Sequence, residues 1–245
     1  MDTETIQIHL NSKNAMYFNN SISNCEWVLP LIEVPQQHQI LISVQHAVIP
    51  NSFYNIDQYN DKFNYTINGY PYTVILLHGN YNPYTLISLI QSKVPAFSVT
   101  YSVVTNKFTF THPTYDFAFL SSSTCLTLLG FQTGVTSSST SKILISTNCV
   151  NLQSHHCICL STNMPTGSIN NSNKYENSTL CNIPTDGNPF SMISYTNYNN
   201  MKSNLFKSST STIQIKLIDQ NGNLIDLNGC HWSVTIQLDV IRFVE

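Results

Sequence analysis

The sequence predicts an all-β protein: a jelly-roll-type antiparallel β-sandwich, or two of them, with one short amphipathic helix. Two observations carry this. Near the C-terminus, Ile213, Ile215 and Leu217 alternate with Thr212, Gln214 and Lys216, and Val234, Ile236, Leu238 and Val240 alternate with Thr235, Gln237 and Asp239. A period of two marks a half-buried strand, with one face in a core and the other polar. A single stretch, Tyr84–Val94, departs from this regime with a clear helical period.

The elements follow in order. Thr5–Leu10 alternates and reads as a strand, and Asn11–Asn24 is polar and loop-like. Cys25–Pro30 is a short strand carrying Trp27, and Gln39–Ile49 a longer one closed by Pro50-Asn51. Phe63–Asn68 and Tyr72–Leu77 form a hairpin around Asn68-Gly69, since both residue types accept positive φ at low cost. In the helix, Asn82 is the expected cap and Pro83 suits the first turn, where its missing N–H has no partner. Leu86, Leu89, Ile90 and Val94 share one face, and Pro95 stops it. Ser98–Val104 and Lys107–Thr111 are strands joined across Thr105-Asn106, and Thr124–Phe131 reads as a short helical turn packing Leu126, Leu129 and Phe131. Ile143–Ile145, Cys149–Leu152 and His156–Leu160 are extended, and Met164–Thr185 is a long Asn-rich loop. Pro189–Tyr195 and Met201–Phe206 lead to the closing strands, which the turn signal Asn221-Gly222 presents as β hairpins. The Ser/Thr-rich segment 133–142 is the expected boundary. It gives an N-terminal lobe, 1–134, containing the helix, and a C-terminal lobe, 135–245; one large jelly roll is the alternative.

Composition narrows the function. Of 245 residues, 42% are hydrophobic but only 9% are charged, against roughly 25% in an ordinary soluble domain. Asn, Ser, Thr, Tyr and Gln take the place of charge. Either an AT-rich gene produces this, although Lys is not inflated, or the surface is largely covered by neighbouring subunits. The net charge is −3 without a basic stripe, which argues against direct nucleic-acid binding. No apolar run is long enough for a membrane span. MDTETIQIHL lacks the features of a signal peptide, so the sequons at Asn19, Asn64, Asn170 and Asn177 are discounted. Cysteines at 25, 125, 149, 157, 159, 181 and 230 are odd in number and irregularly spaced, which reads as free thiols in a reducing compartment.

The order of features resembles a known family. HAVIPNSFYNI (46–56) is followed by GNYNPYTLISLI (79–90), KFTFT (107–111), CLTLLGF (125–131) and VNLQSHHCICLST (150–162). STIQIKLIDQNGNLIDLNGCHWSVTIQLDVI (211–241) closes the series. This resembles the minor capsid or penton-like jelly-roll proteins of Polinton-type elements, polinton-like viruses, virophages and related large DNA viruses. The departure is 163–188, neutral and Asn-rich where Polinton versions carry an acidic, Arg-containing segment. The resemblance implies a non-enzymatic structural subunit of an icosahedral virion, made in the host cytoplasm. Its partners would be the major capsid protein and copies of itself. The Asn-rich loop has few apolar anchors and is expected to be ordered mainly by such neighbours. The alternative is a carbohydrate- or receptor-binding β-sandwich displayed on a virion.

No residue is assigned a catalytic, cofactor or metal role. His155, His156, Cys157 and Cys159 form a cluster of metal-capable side chains, but a strand would put the two cysteines on one face and His156 on the other. Completing a zinc site needs further ligands, such as Cys230 or His231. Asp57 with Asp61, and Asp219 with Asp226, are the nearest carboxylate pairs; Asp beside a turn more simply bonds the backbone. GFQTG (130–134) is too sparse to cradle a phosphate. The Tyr-rich stretches 54–84 and 195–198 suit stacking on sugars or packing at interfaces. Trp27 and Trp232 read as core anchors.

Overall fold

The structure is a computed structural model that describes residues 3–33, 38–153, 155–167, 178–206 and 209–242. Strands make up 49% of the described residues and helix 6%, as an all-β reading requires. The chain divides into two compact units, residues 1–53 with 155–245, and residues 54–154. The division is therefore nested, not sequential at 134/135. The Ser/Thr-rich segment 133–142 lies inside the second unit, because its Ser137–Ser138 pairs with a strand of that unit.

Taken in chain order, the first unit begins with β1 (Thr3–Asn11), β2 (Met16–Tyr17), β3 (Asn24–Glu33) and β4 (His38–Pro50). The second unit holds β5 (Lys62–Ile67), β6 (Tyr70–Ile75), α1 (Pro83–Lys93), β7 (Ser98–Ser102), β8 (Lys107–Thr111), β9 (Phe117–Phe119), β10 (Ser137–Ser138) and β11 (Ile143–Ile145). The chain returns to the first unit with β12 (Cys157–Thr162), β13 (Thr179–Pro184), β14 (Met192–Thr196), β15 (Ser203–Leu205), β16 (Ser209–Ile218) and β17 (Ser233–Arg242).

The first unit is a sandwich of two antiparallel sheets. One runs β1-β17-β4, with β14 and β15 end to end along the far edge of β4; the other runs β13-β12-β16-β3-β2. If β14 and β15 count as one broken strand and the short β2 is set aside, eight strands remain. Numbered in chain order, they lie as 1-8-3-6 in one sheet and 2-7-4-5 in the other. This interleaving of distant strands is a jelly roll. The second unit is inserted in sequence between its third and fourth strands.

This topology corrects the expected closing hairpins. Ile213, Ile215, Leu217, Val234, Ile236 and Leu238 are all buried, as their alternation predicts. They do not share a sheet face, however. β16 pairs with β12 and β3, β17 pairs with β1 and β4, and the six side chains meet across one core from opposite sheets. Asn221-Gly222 does form a turn, with Gly222 at φ +86°. Beyond it the chain crosses to the other sheet. Trp27 and Trp232 join the two layers edge to face, with ring centroids 5.8 Å apart. Their indole N–H groups donate to the carbonyls of Asn11 and Ile22 at 2.9 and 2.8 Å, so neither buried ring leaves a donor unpaired.

A second correction concerns the Asn-rich stretch. Residues 168–177 lie outside the described residues, but Thr179–Pro184 is a strand paired with β12, with Ile183 buried. A third concerns Asp239, which alternation places on the polar face. It is 2% exposed on the outer side of β17 and receives Lys202 Nζ at 2.7 Å, Thr5 Oγ1 at 2.7 Å and Gln237 Nε2 at 2.9 Å. Burial alone would raise its pKa. Hydrogen bonds from Lys202, Thr5 and Gln237, with the Lys202 charge, outweigh that and hold it below the ordinary carboxylate value.

The second unit surrounds an aromatic core with sheets β10-β9-β5-β6 and β11-β8-β7 and with α1. Phe119 lies 4.8 Å from Phe63, 4.7 Å from Phe110 and 5.1 Å from Phe131 between ring centroids. The helix forms as read: Asn82 accepts from the Tyr84 and Thr85 amides at 3.0 Å, Thr85 Oγ1 accepts from the Asn82 amide at 2.9 Å, and Leu86, Leu89 and Ile90 are buried. The β5–β6 hairpin turns on Asn68 and Gly69, both at positive φ. Leu126 and Leu129 are buried in a turn that ends at Gly130, and Phe131 is buried just after it. Gly130 has φ +81°, and a Cβ there would sit 2.6 Å from the Asn148 carbonyl.

Two outcomes test this account. Ile236→Asp places a charge where Ile236 is 0% exposed and should cost at least about 4 kcal/mol in urea unfolding; a midpoint like the wild type refutes the register. Asp239 has a lowered folded-state pKa, so its stabilisation is complete above the unfolded value of about 3.9 and fades as pH falls below it. Asp239→Asn should flatten that part of the acid-unfolding profile and, by weakening the hydrogen bonds that Lys202, Thr5 and Gln237 make to the buried carboxylate, cost on the order of 1–3 kcal/mol at neutral pH. A mutant with the parent's acid profile would show that this pair is not the source.

Candidate functional site

Among the residues with chemical potential, buried His155 and Asp219 face each other, Nδ1 to Oδ2 at 3.9 Å. His155 is buried, with its ring edge to face on Phe53 at 4.9 Å, whereas His156 is exposed. Cys159 is buried and Cys157 half-buried on β12, while Cys230 and His231 are exposed beyond the turn that precedes β17. Among the described residues, no three His, Cys, Asp or Glu side chains gather as a metal site.

The carboxylates serve the backbone. Asp219 is buried and accepts from the Asn221 and Asn223 amides, each at 2.8 Å, which organises the turn between β16 and the crossing segment. Asp226 Oδ1 accepts from the Asn228 amide at 2.8 Å, and Asp57 Oδ1 from the Tyr59 amide at 2.8 Å. Asp61 meets His78 Nε2 at 2.9 Å. Asp219, Asp226 and Asp57 are thus turn-forming acids, as their flanking sequence suggests. GFQTG supplies two positive-φ glycines, Gly130 and Gly134, in turns. The Tyr-rich stretches fall in different units: Tyr65 is buried and stacks on Tyr72 at 5.3 Å, Tyr70 and Tyr84 are exposed in the second unit, and Tyr198 is exposed in the first.

The thiols are unsuited to nucleophilic work where they are buried. Burial pushes Cys25 up to about 12. It raises Cys125 too, where the Cys125 amide opposes the shift and the Asp61 charge adds to it. Cys181 is raised by burial and then by nearby Cys159. A thiolate is the reactive form, so these groups are chemically quiet.

What remains as a site is surface. Apolar side chains are exposed along two edges of the first unit. One is the β2–β3 edge: Met16, Tyr17, Phe18, Val28 and Leu31 are exposed, Val28 by 72%. The other is the β14–β15 edge: Phe190, Met192, Tyr198, Met201 and Phe206 are exposed, Tyr198 by 90%. On the second unit, the edge strand β6 and the residues after it expose Tyr70, Tyr72, Ile75 and Leu77. Sequence reading missed these positions. Composition announces surplus apolar surface, but only the strand order shows which side chains stand at edges.

No family model matches the chain, and no curated protein matches it. A solved structure does match in fold: the crystal structure of a selenomethionine-labelled mavirus penton protein, with a TM-score of 0.54 at 9% sequence identity. The match covers 98% of this chain and 100% of that one, so it includes both units.

Thiol accessibility tests the placement of these residues. Cys149 and Cys230 are exposed and should react promptly with a maleimide at neutral pH. Cys25, Cys125 and Cys159 are buried and should react only on unfolding, as read by peptide mass spectrometry. Prompt labelling of Cys125 in the folded protein would contradict its burial.

Proposed function

We propose that this chain is a structural subunit of an icosahedral DNA-virus capsid, of minor-capsid or penton type. The observation that carries the reading is the fold match to a mavirus penton protein over essentially the whole of both chains. Jelly-roll order in the first unit, the insertion between its third and fourth strands and the ordered motifs of the sequence support the same assignment. The work is shape. Neutral surface and exposed apolar edges hold the subunit among neighbours, the major capsid protein and further copies of itself. No chemistry is required of it, and the acids and thiols stand in structural positions. No helix among the described residues is long and apolar enough to cross a membrane.

The test is particle composition. The chain should co-sediment with intact capsids at fixed stoichiometry through successive gradients, and a cryo-electron-microscopy reconstruction should hold its density in the shell. Absence from purified particles overturns the reading. A glycan array with the isolated protein separates it from a receptor-binding sandwich: specific binding, together with absence from the shell, would favour that alternative.

A further inference from the structure

The second unit keeps one long strand edge open. Its sheets end at β6, β7, β10 and β11. β10 and β11 are only two and three residues long, and α1 lies against β7. Shortness and a neighbouring helix are among the ways proteins protect an edge. β6 is six residues long and has only β5 as a strand partner among the described residues. No charged side chain occurs from Phe63 to Leu77, so the charges that commonly guard such an edge are missing as well.

Register shows which backbone groups of β6 face outward. Ile67 and Tyr70 flank the two-residue Asn68-Gly69 turn and so form a hydrogen-bonded pair; Tyr65 with Tyr72 and Phe63 with Val74 repeat it. Leu76 keeps the phase, its amide donating to the Asp61 carbonyl at 2.8 Å. In the alternate pairs the backbone groups point away from the partner strand. On the β5 side, the Lys62 and Asn64 amides donate to Thr124 Oγ1 and Ser123 Oγ, each at 2.9 Å. On the β6 side, the carbonyls of Pro71, Thr73 and Ile75 and the amides of Thr73 and Ile75 point outward, and all three residues are exposed. Pro71 falls in this phase, where the β5 ladder asks no N–H of it. Exposed apolar side chains line both sides of the row. Tyr70 and Tyr72 share the face of buried Leu76, and Ile75 and Leu77 take the other.

We propose that β6 receives an extended, uncharged segment of another protein, which adds as a further strand to the sheet β10-β9-β5-β6. Backbone spacing selects the occupant: outward donors and acceptors at every second residue are matched by another strand. The usable edge runs from Pro71 to Ile75, so the paired part of the segment is about five residues long. Its alternate side chains lie beside Tyr70 and Tyr72 on one face and beside Ile75 and Leu77 on the other, so apolar residues without charge fit both rows. A full match to the three outward carbonyls needs three outward amides. Another copy of β6 brings only two, because Pro71 has none, and a segment free of proline brings all three. The inference goes beyond the capsid reading and does not rest on it.

The experiment uses the full chain. In amide-resolved hydrogen exchange of the free protein, Thr73 and Ile75 should exchange fast, and Tyr72 and Val74 slowly. Equal protection of all four means that the edge is already covered and overturns the proposal, as does protection that grows with protein concentration, which marks pairing between copies. A phage-displayed library of random heptapeptides, panned on the chain, should return uncharged sequences with apolar residues at every second position. Charged or unpatterned sequences, or none, overturn it. The strongest binder, made as a synthetic peptide, should slow exchange at Thr73 and Ile75 by at least about tenfold. N-methylation of its alternate residues in one phase should abolish binding, and in the other phase leave it within about threefold, because a strand aims its amides alternately. Equal effects of the two phases overturn the proposal. Ile75→Pro removes an outward amide and no bond to β5, so it should keep the melting temperature and weaken the peptide at least about tenfold. Unchanged affinity in the folded variant counts against strand addition and overturns it; should the variant not fold, the methylated peptides decide.

Discussion

Inward-facing side chains of β16 and β17 meet across the first unit, and the remaining topology depends on that contact. Ile213, Ile215 and Leu217 on one sheet oppose Val234, Ile236 and Leu238 on the other, each contributing about 2 kcal/mol by leaving water. Two strands adjacent in sequence are thus committed to different layers. The chain between them must cross. Asp219 ties the turn that begins the crossing, and Trp232 ends it against Trp27. Once these strands are separated, each takes partners remote in sequence: β17 lies between β1 and β4, and β16 between β3 and β12. A connection between layers is also required from β4 to β12. The insertion of residues 54–154 sits there, and the closure entropy of a loop grows only slowly with its length.

The two units solve burial with different residues. The first core is mainly aliphatic, with its tryptophans at the seam, and the second is built on phenylalanine rings in edge-to-face contact. Neither uses charge as a framework. The acids are spent locally: Asp219, Asp226 and Asp57 bond turn amides, and Asp61 meets His78. Buried His155 also lies 3.9 Å from Asp219, and Lys202, itself partly exposed, bonds buried Asp239 and fastens the segment before β15 to the back of β17. The surface left over is neutral and amide-rich, with apolar edges. Contacts made by such a surface should change little with ionic strength, because few ion pairs are present to be screened.

Most strands were legible in the sequence, and so was the helix with its Asn82 cap, because alternation and helical period report directly which side chains face a core. Partnership was not legible. Sequence neighbours usually pair, and a turn such as Asn221-Gly222 reinforces that expectation. A jelly roll overrides it through contacts that no local pattern encodes. The Ser/Thr run at 133–142 suggested a boundary for a similar reason: it reports weak local burial, whereas the true divisions after Phe53 and Ser154 are set by long-range pairing. Thr179–Pro184 escaped notice amid Asn-rich sequence, and Phe117–Phe119 is too short to show a period. Asp239 followed the polar phase of its strand correctly, but Lys202 and Thr5 close over that phase. The apolar edges could not be read from the sequence, since exposure depends on which strand ends a sheet.

A 9% identity over full-length coverage is intelligible on the same grounds. Apolar inward positions exchange at a cost below about 1.5 kcal/mol when volume is kept, so core identity drifts while alternation persists. Backbone punctuation drifts less freely. In LGF, Gly130 stands at φ +81° with the Asn148 carbonyl where a Cβ would be; in the closing segment, Gly222 and Gly229 stand at φ +86° and +81°. These positions admit few other residues without strain. The motifs that made the chain recognisable thus include the residues least able to change without altering the path of the backbone. A resemblance carried by turns in a fixed order is therefore a statement about fold.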